Sequence, residues 1–222
     1  MISIYKFCLG ASLILGLSAC SMQPLTSSTR VEIAPSIQVN LPLPQELGYS
    51  LTASQLIGAT WQQNSSEDLD TSAISTSKET NQQLPVQLQV TKDKVVLAGF
   101  SSWGTRILSL TYSQKSIKTS VLAGLEGSLP KPEQVLFNLM ITLWPLNAWE
   151  QPLNQVTWRM VETNNSRRVY DQNGTLVIDI NYHSTRDKDD LLEKNKLSGD
   201  IEFNHIQLGY KIHIQTLNYT TQ

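Results

Sequence analysis

The segment Pro132 to Leu143 constrains the fold most, because its apolar residues occupy more than one helical face. Pro132 and Glu133 are helix-start signals, Pro130 stands just before them, and Pro145 closes the segment after Trp144. At helical spacing Val135, Leu136, Leu139, Met140 and Leu143 share one face, and Phe137, Ile141 and Trp144 form another. Only Gln134, Asn138 and Thr142 make a polar stripe. A surface helix carries an apolar stripe only somewhat wider than ~100°. Here apolar residues take well over half the circumference, so the helix must be covered on two sides. Three arrangements do that: a buried core helix, with its second face under a loop if need be; a plug or lid over an apolar cavity; or a membrane-facing helix with Trp144 and Trp149 at the interface. A second helical turn is expected near Ala148–Leu153.

On either side of this helix the pattern is β. Tyr49 to Gln63 is a long strand candidate. Val86, Leu88 and Val90 alternate with Gln87 and Gln89, the pattern of a half-buried strand. Lys92-Asp93 turns into the apolar run Val95–Phe100. Gly104 to Tyr112 follows, with Leu108, Leu110 and Tyr112 on one face, and Gln114-Lys115 turns into Ser116–Leu122. Tight turns between adjacent strands predict an antiparallel meander. After the helix, Val156, Trp158 and Met160 alternate with polar residues, and Arg167–Asp171 runs into the hairpin signal Asn173-Gly174. Leu176 to Tyr182 alternates again. A last hairpin joins Asp200–Gln207 to Tyr210–Tyr219 around Leu208-Gly209. Residues 64–83 read as a flexible polar loop, and Arg186 to Lys196 as a charged loop or frayed helix. Strands, helix, strands predict a mainly β fold: one strongly curved antiparallel sheet with the helix on its concave face.

The N-terminus speaks to location. Lys6, the short apolar run Phe7–Leu17 and Leu17-Ser18-Ala19-Cys20 have the layout of a signal peptide ending in a lipobox. The run is shorter than the ~20 residues needed to span a bilayer. Cleavage after residue 19 and acylation of Cys20, with palmitate-like chains, would anchor the chain to a membrane. Ser21 stands where an aspartate would retain it at the inner membrane, so the periplasmic face of the outer membrane is expected. Residues 20–47, dotted by Pro24, Pro35, Pro42 and Pro44, read as the tether, and 48–222 as a single domain. Cys8 leaves with the signal peptide, so no disulfide is expected. A net charge of −2 gives no reason to expect nucleic-acid binding, and a monomer is expected.

Signals for enzymatic chemistry are poor, and no catalytic residue, metal or cofactor is expected. His183, His205 and His213 lack metal-ligand spacing, and His213 falls on a polar strand face. Ser101 sits in Gly99-Phe-Ser-Ser-Trp-Gly104, which is not a nucleophile elbow. Asp68 and Asp70 lie in the polar loop, and no phosphate-cradling loop is present. Binding residues are easier to nominate. Leu136, Phe137, Leu139, Met140, Ile141 and Trp144 are the expected lid or lining of an apolar ligand cavity. Arg106 shares strand parity with Leu108, Leu110 and Tyr112, which places it at the cavity mouth or rim, unless a bulge at Gly104 resets the alternation. Arg167 and Arg168 read as ordinary surface charge. Trp61, Trp103 and Trp158 read as core or cavity wall.

Gly104-Thr-Arg-Ile-Leu-Ser-Leu-Thr-Tyr112, Pro130 with Pro132-Glu133, Leu136-Phe-Asn-Leu139, Trp144-Pro145 and the Gly209-Tyr210 hairpin resemble a bacterial lipoprotein family of unknown function, DUF3261. The resemblance runs from about Leu41 onward. Members of that family often accompany gene clusters for aryl polyene lipids. The family pattern has an aspartate where this chain has Asn138, so no charged role is carried over to that position. In plan the chain also resembles the lipoprotein carrier LolA and its receptor LolB, half-open β-barrels with a helical lid over a cavity for acyl chains. These resemblances imply a protein that binds an acyl chain, a lipoprotein or an aryl polyene lipid and assists its delivery without catalysis. The alternatives are a scaffold that docks another envelope protein and, third, an enzyme acting on lipid or cell-wall material.

Overall fold

The alternating segments become strands in the computed structural model, which describes residues 29–61, 83–114, 116–125, 131–184 and 196–222. In chain order these are β1 (Arg30–Ala34), β2 (Ile37–Asn40), a 3-10 turn (Pro44–Leu47), β3 (Leu51–Trp61), β4 (Gln83–Val90), β5 (Lys94–Phe100), β6 (Arg106–Ser113), β7 (Ser116–Val121), α1 (Pro132–Leu143), α2 (Leu146–Asn154), β8 (Arg159–Glu162), β9 (Ser166–Tyr170), β10 (Leu176–Ser184), β11 (Gly199–His205) and β12 (Tyr210–Thr221). The signal peptide, Cys20, nearly all of the 64–83 loop and most of Arg186–Lys196 lie outside the described residues.

β3 to β12 form one antiparallel sheet in the order β7-β6-β5-β4-β3-β12-β11-β10-β9-β8. This is two five-strand meanders joined first strand to last. β3 and β12 pair from Leu51↔Thr221 to Trp61↔Tyr210, with Leu217 as the extra residue between Thr216 and Asn218. The sheet is open. Its edges, β7 and β8, do not pair with each other, so the expected strongly curved, half-open barrel is instead an open ten-stranded sheet that is neither closed nor strongly curled. The link from β7 to β8 must therefore run from one edge to the other. At ~4.8 Å per strand that is a long way, and α1 and α2 are built into this link.

Turn chemistry holds the meanders in register. At 171–175, Gly174 adopts φ +78°, and the Asp171 carboxylate accepts hydrogen bonds from the Asn173 and Thr175 amides. The expected strand from Val156 starts later, at Arg159. Residues 156–158 instead form a turn in which Thr157 takes φ +59°.

The largest departure from expectation is at residues 30–47. They belong to the folded body and not to a tether. β1 and β2 form a separate hairpin around Pro35-Ser36, with Ser36 at φ +64°. Val31, Ile33, Ala34, Val39, Leu41 and Leu47 are buried and join the same continuous core as both meanders and both helices. The hairpin packs on α1, and Leu41 and Pro42 meet the buried Tyr112 hydroxyl at 3.3 and 2.9 Å through their carbonyls. The reason is the helix itself: a helix apolar over well more than half its circumference on one face of a sheet needs a second cover, and this hairpin supplies part of it.

Candidate functional site

α1 has the predicted bounds, and every residue from Leu136 to Leu143 is buried. Lys131 at its N-cap makes no side-chain cap, and Trp144 before Pro145 takes extended backbone, which ends the helix. A helix ending this way leaves carbonyls without partners. Side chains from the rest of the body meet them. The Trp149 indole donates to Met140 O at 3.3 Å, and the Tyr182 hydroxyl donates to Thr142 O at 2.7 Å. Arg167 Nη1 donates to Ile141 O and to Trp144 O, the latter at 2.8 Å.

Arg167 is the residue that sequence reading missed. It was expected at the surface but is 0% exposed, on β9. Its cation sits at the negative end of α1, where a positive charge is favoured. Its Nη2 donates to Glu162 at 2.9 Å, and Lys196 also pairs with Glu162. Burial pushes the Glu162 carboxyl up, but Arg167 and Lys196 together outweigh burial and hold it below the ordinary range. Neighbouring Arg168 does point outward and pairs with Asp179 at 3.2 Å.

In the polar stripe of α1, Asn138 and Thr142 are buried and Gln134 is half-buried. Tyr210 donates to Asn138 Oδ1 at 3.0 Å, and Gln134 donates to the Tyr210 oxygen at 3.2 Å. Burial pushes the Tyr210 hydroxyl up to about 12, so it remains a donor across the physiological range. Tyr210→Phe is expected to cost about 1–2 kcal/mol, because Asn138 keeps only Gln134 as a side-chain donor. Urea unfolding of the two proteins checks this.

His205, at the end of β11, is fully buried and ties the sheet to the N-terminal hairpin. Its Nδ1 accepts from the Leu208 amide at 3.3 Å, which assigns the proton to Nε2, facing Ile33 O at 2.9 Å. Burial pushes its pKa down to about 4. Because the folded pKa lies below the unfolded value of 6.5, the unfolded chain binds the extra proton between those two values. Stability is therefore complete above about pH 6.5 and falls as pH drops towards 4. Between pH 7 and 5 the loss should be about 2 kcal/mol. Urea midpoints at the two pH values should differ in the native chain and much less in His205→Gln.

The nominated lining residues are brought together: Leu136, Phe137, Leu139, Met140, Ile141 and Trp144 all lie in the core. Phe137 packs edge-to-face on Trp149 at 5.7 Å. Trp144 and Trp149 are both fully buried, so the membrane-facing placement of this helix does not hold. Arg106 is not with them. It is exposed at the start of β6, beside the register shift between Gly99 and Phe100, and lines neither recess described below. Trp158 is buried as expected, whereas Trp103 is exposed.

A family model described as "Protein of unknown function (DUF3261)" matches residues 52–218. The chain belongs to that family. In structure this DUF3261 chain is similar to a LolA superfamily protein from Nitrosomonas europaea, with TM-score 0.36 and 7% identity over 77% of this chain and 85% of that one. It is also similar to a putative outer membrane lipoprotein-sorting protein domain from Vibrio parahaemolyticus, with TM-score 0.34 and 9% identity over 78% and 85%. No curated protein matches the chain.

Among the described residues, two recesses on the DUF3261 body are lined by no residue of α1. A groove of about 540 Å³ runs over the sheet, with Asp179, Asn181, Glu202, Lys211 and His213 on its walls. A smaller recess of about 110 Å³ lies between α2 and β8, beside Leu153, Trp158 and Met160. Among the described residues no group of three or more His, Cys, Asp or Glu is placed to hold a metal, and no helix is long and apolar enough to cross a membrane.

Proposed function

We propose that this DUF3261 protein is a non-enzymatic lipoprotein, anchored through Cys20 at the periplasmic face of the outer membrane, which binds an acyl chain between its sheet and α1. The acyl chain would belong to a lipid, an aryl polyene lipid or another lipoprotein. One observation carries the reading: α1 is a helix with apolar residues nearly all round, enclosed by apolar side chains and held at its C-terminal end by a few discrete polar ties. At 1.5 Å per residue its length of about 18 Å is comparable to an extended acyl chain.

Magnitudes say how such binding would work. Leu136, Phe137, Leu139, Met140, Ile141, Leu143 and Trp144 are each worth ~1.5–3 kcal/mol of burial, roughly 10–20 kcal/mol together. A palmitoyl chain buries about fifteen carbons at ~0.8 kcal/mol each, about 12 kcal/mol. The two magnitudes are comparable, so a ligand gains little by expelling α1 into water. In this reading α1 lifts from the sheet and lays its apolar face on the incoming chain, acting as a lid.

The filled interior favours a second reading, a scaffold that docks another envelope protein. Native mass spectrometry of the detergent-extracted full chain, together with amide exchange along α1, separates the two. The lid reading expects retained lipid mass and α1 amides that exchange well before global unfolding. A chain that binds no lipid, with α1 exchanging only on global unfolding, would leave the scaffold.

A further inference from the structure

Exposed apolar residues gather in the connections at one end of the ten-stranded sheet. Trp103, at the tip of the β5–β6 hairpin, is 93% exposed. Leu122 leaves β7 beside it, 44% exposed, and its amide is bonded to Ile107 O on β6. Ile206 and Leu208, both exposed, are in the β11–β12 connection at the same end. Of the described connections there, only the β9–β10 turn is wholly polar. At the opposite end the turns Thr91-Lys92-Asp93, Gln114 and Thr163–Asn165 carry no large apolar residue, and Leu197 in the β10–β11 connection is buried.

The Trp103 tip is ordered. Ser101 N donates to Thr105 O at 2.8 Å, Gly104 N to Ser101 O at 2.9 Å, and Thr105 N to Ser101 Oγ at 3.2 Å. Gly104 takes φ +79°, a conformation that suits glycine. The indole is thus held away from the sheet although burial would stabilise it. Its neighbours in the turn, Ser102, Gly104 and Thr105, are small and exposed, and exposed Arg106 follows.

We infer that the Trp103 hairpin tip, with Leu122 beside it, dips into the headgroup region of a lipid bilayer while Arg106 faces anionic headgroups. Ser102, Gly104 and Thr105 leave the indole on a narrow polar turn, with exposed Leu122 at the end of the neighbouring strand. A bilayer interface needs only an amphipathic ring on a narrow protrusion, and tryptophan is enriched there for that reason. Chain length points to the same occupant. Thr29, the first described residue, follows Cys20 by nine residues, a reach of about 30 Å at most. The inference rests on the reading of Cys20 as the lipid anchor, since that anchor holds the body beside a bilayer.

The test uses the full chain reconstituted in phosphatidylethanolamine–phosphatidylglycerol vesicles, with or without dibrominated phosphatidylcholine. The chain has five tryptophans, and the emission lost on Trp103→Ser isolates the tip from the other four. Most of that emission should be quenched by the brominated lipid and protected from aqueous iodide. Quenching by iodide without quenching by bromolipid places the tip in water and overturns the inference. Protection from both places it under protein, a second copy or a partner, and also overturns it. Vesicle flotation is scored in the same samples. A chain that fails to float refutes the anchor, whereas one that floats with an iodide-accessible Trp103 refutes only the tip.

Discussion

A chain cut to begin at Tyr49 is expected to be unfolded at room temperature, although it retains every strand of the ten-stranded sheet. The cut removes Val31, Ile33, Val39, Leu41 and Leu47, all buried. At ~1.5–3 kcal/mol each they contribute up to roughly 8–15 kcal/mol, an upper bound because an unfolded chain already buries some of its surface. A whole domain is stable by only about 5–15 kcal/mol. The cut also strips acceptors from three buried donors. Tyr112 OH loses Leu41 O and Pro42 O, Trp144 Nε1 loses Leu43 O at 3.0 Å, and His205 Nε2 loses Ile33 O. Each orphaned donor costs a further ~1–3 kcal/mol. Circular dichroism and urea unfolding of chains beginning at Thr29 and at Tyr49 decide the matter. A cooperative transition in the shorter chain, within about 2 kcal/mol of the longer, would show the hairpin to be an accessory.

Arg167→Met should lower stability by about 3–5 kcal/mol, the usual cost of removing one partner of a buried ion pair. It withdraws the donors from Ile141 O and Trp144 O and leaves Glu162 with Lys196 alone. The damage should be concentrated at α1. Exchange of the α1 amides should accelerate more than that of β3 and β12 at the centre of the sheet. Arg167→Lys should recover little, because one ammonium cannot present donors to two carbonyls and a carboxylate in the geometry of the guanidinium fork. Changing Glu162 to Leu together with Arg167→Met should cost less than the two single changes added, since the two groups are in direct contact and each single change already removes their shared pair. Equal loss of protection across α1 and the sheet would mean that Arg167 supports the whole body and not the helix end in particular. That outcome would also weaken the lid reading, which needs α1 to be separable from the sheet.

How much was legible beforehand follows from the range of each interaction. The bounds of α1 could be read because its Pro132, Glu133 and Pro145 signals and its 3.6-residue period are local. The β4–β5–β6 meander and the Asn173-Gly174 hairpin could be read because alternation and turn chemistry act over a few residues. The demand that α1 be covered on two sides was legible too, but the identity of its cover was not. Val31-Glu-Ile-Ala34 and Ile37-Gln-Val-Asn40 do alternate around Pro35-Ser36. Strands this short, among so many prolines, are indistinguishable from a linker until they are seen packed on the helix.

Three other features rested on the tertiary structure alone. Arg167 and Arg168 point to opposite sides of β9, and parity cannot say which side is the core. That was decided by the sheet placing β9 beside the C-terminal end of α1. Trp103 reads as core or cavity wall in the sequence, yet it stands on a turn at a strand end and is exposed. The pairing of β3 with β12 joins residues far apart in the chain, and no local pattern encodes it. The sequence by itself therefore determined which segments become strands or helix and that the central helix must be enclosed. The tertiary structure decided what encloses it, which charge is buried against its end and which apolar residue is left in the open. Periodicity is a property of neighbours along the chain, whereas burial is a property of neighbours in space.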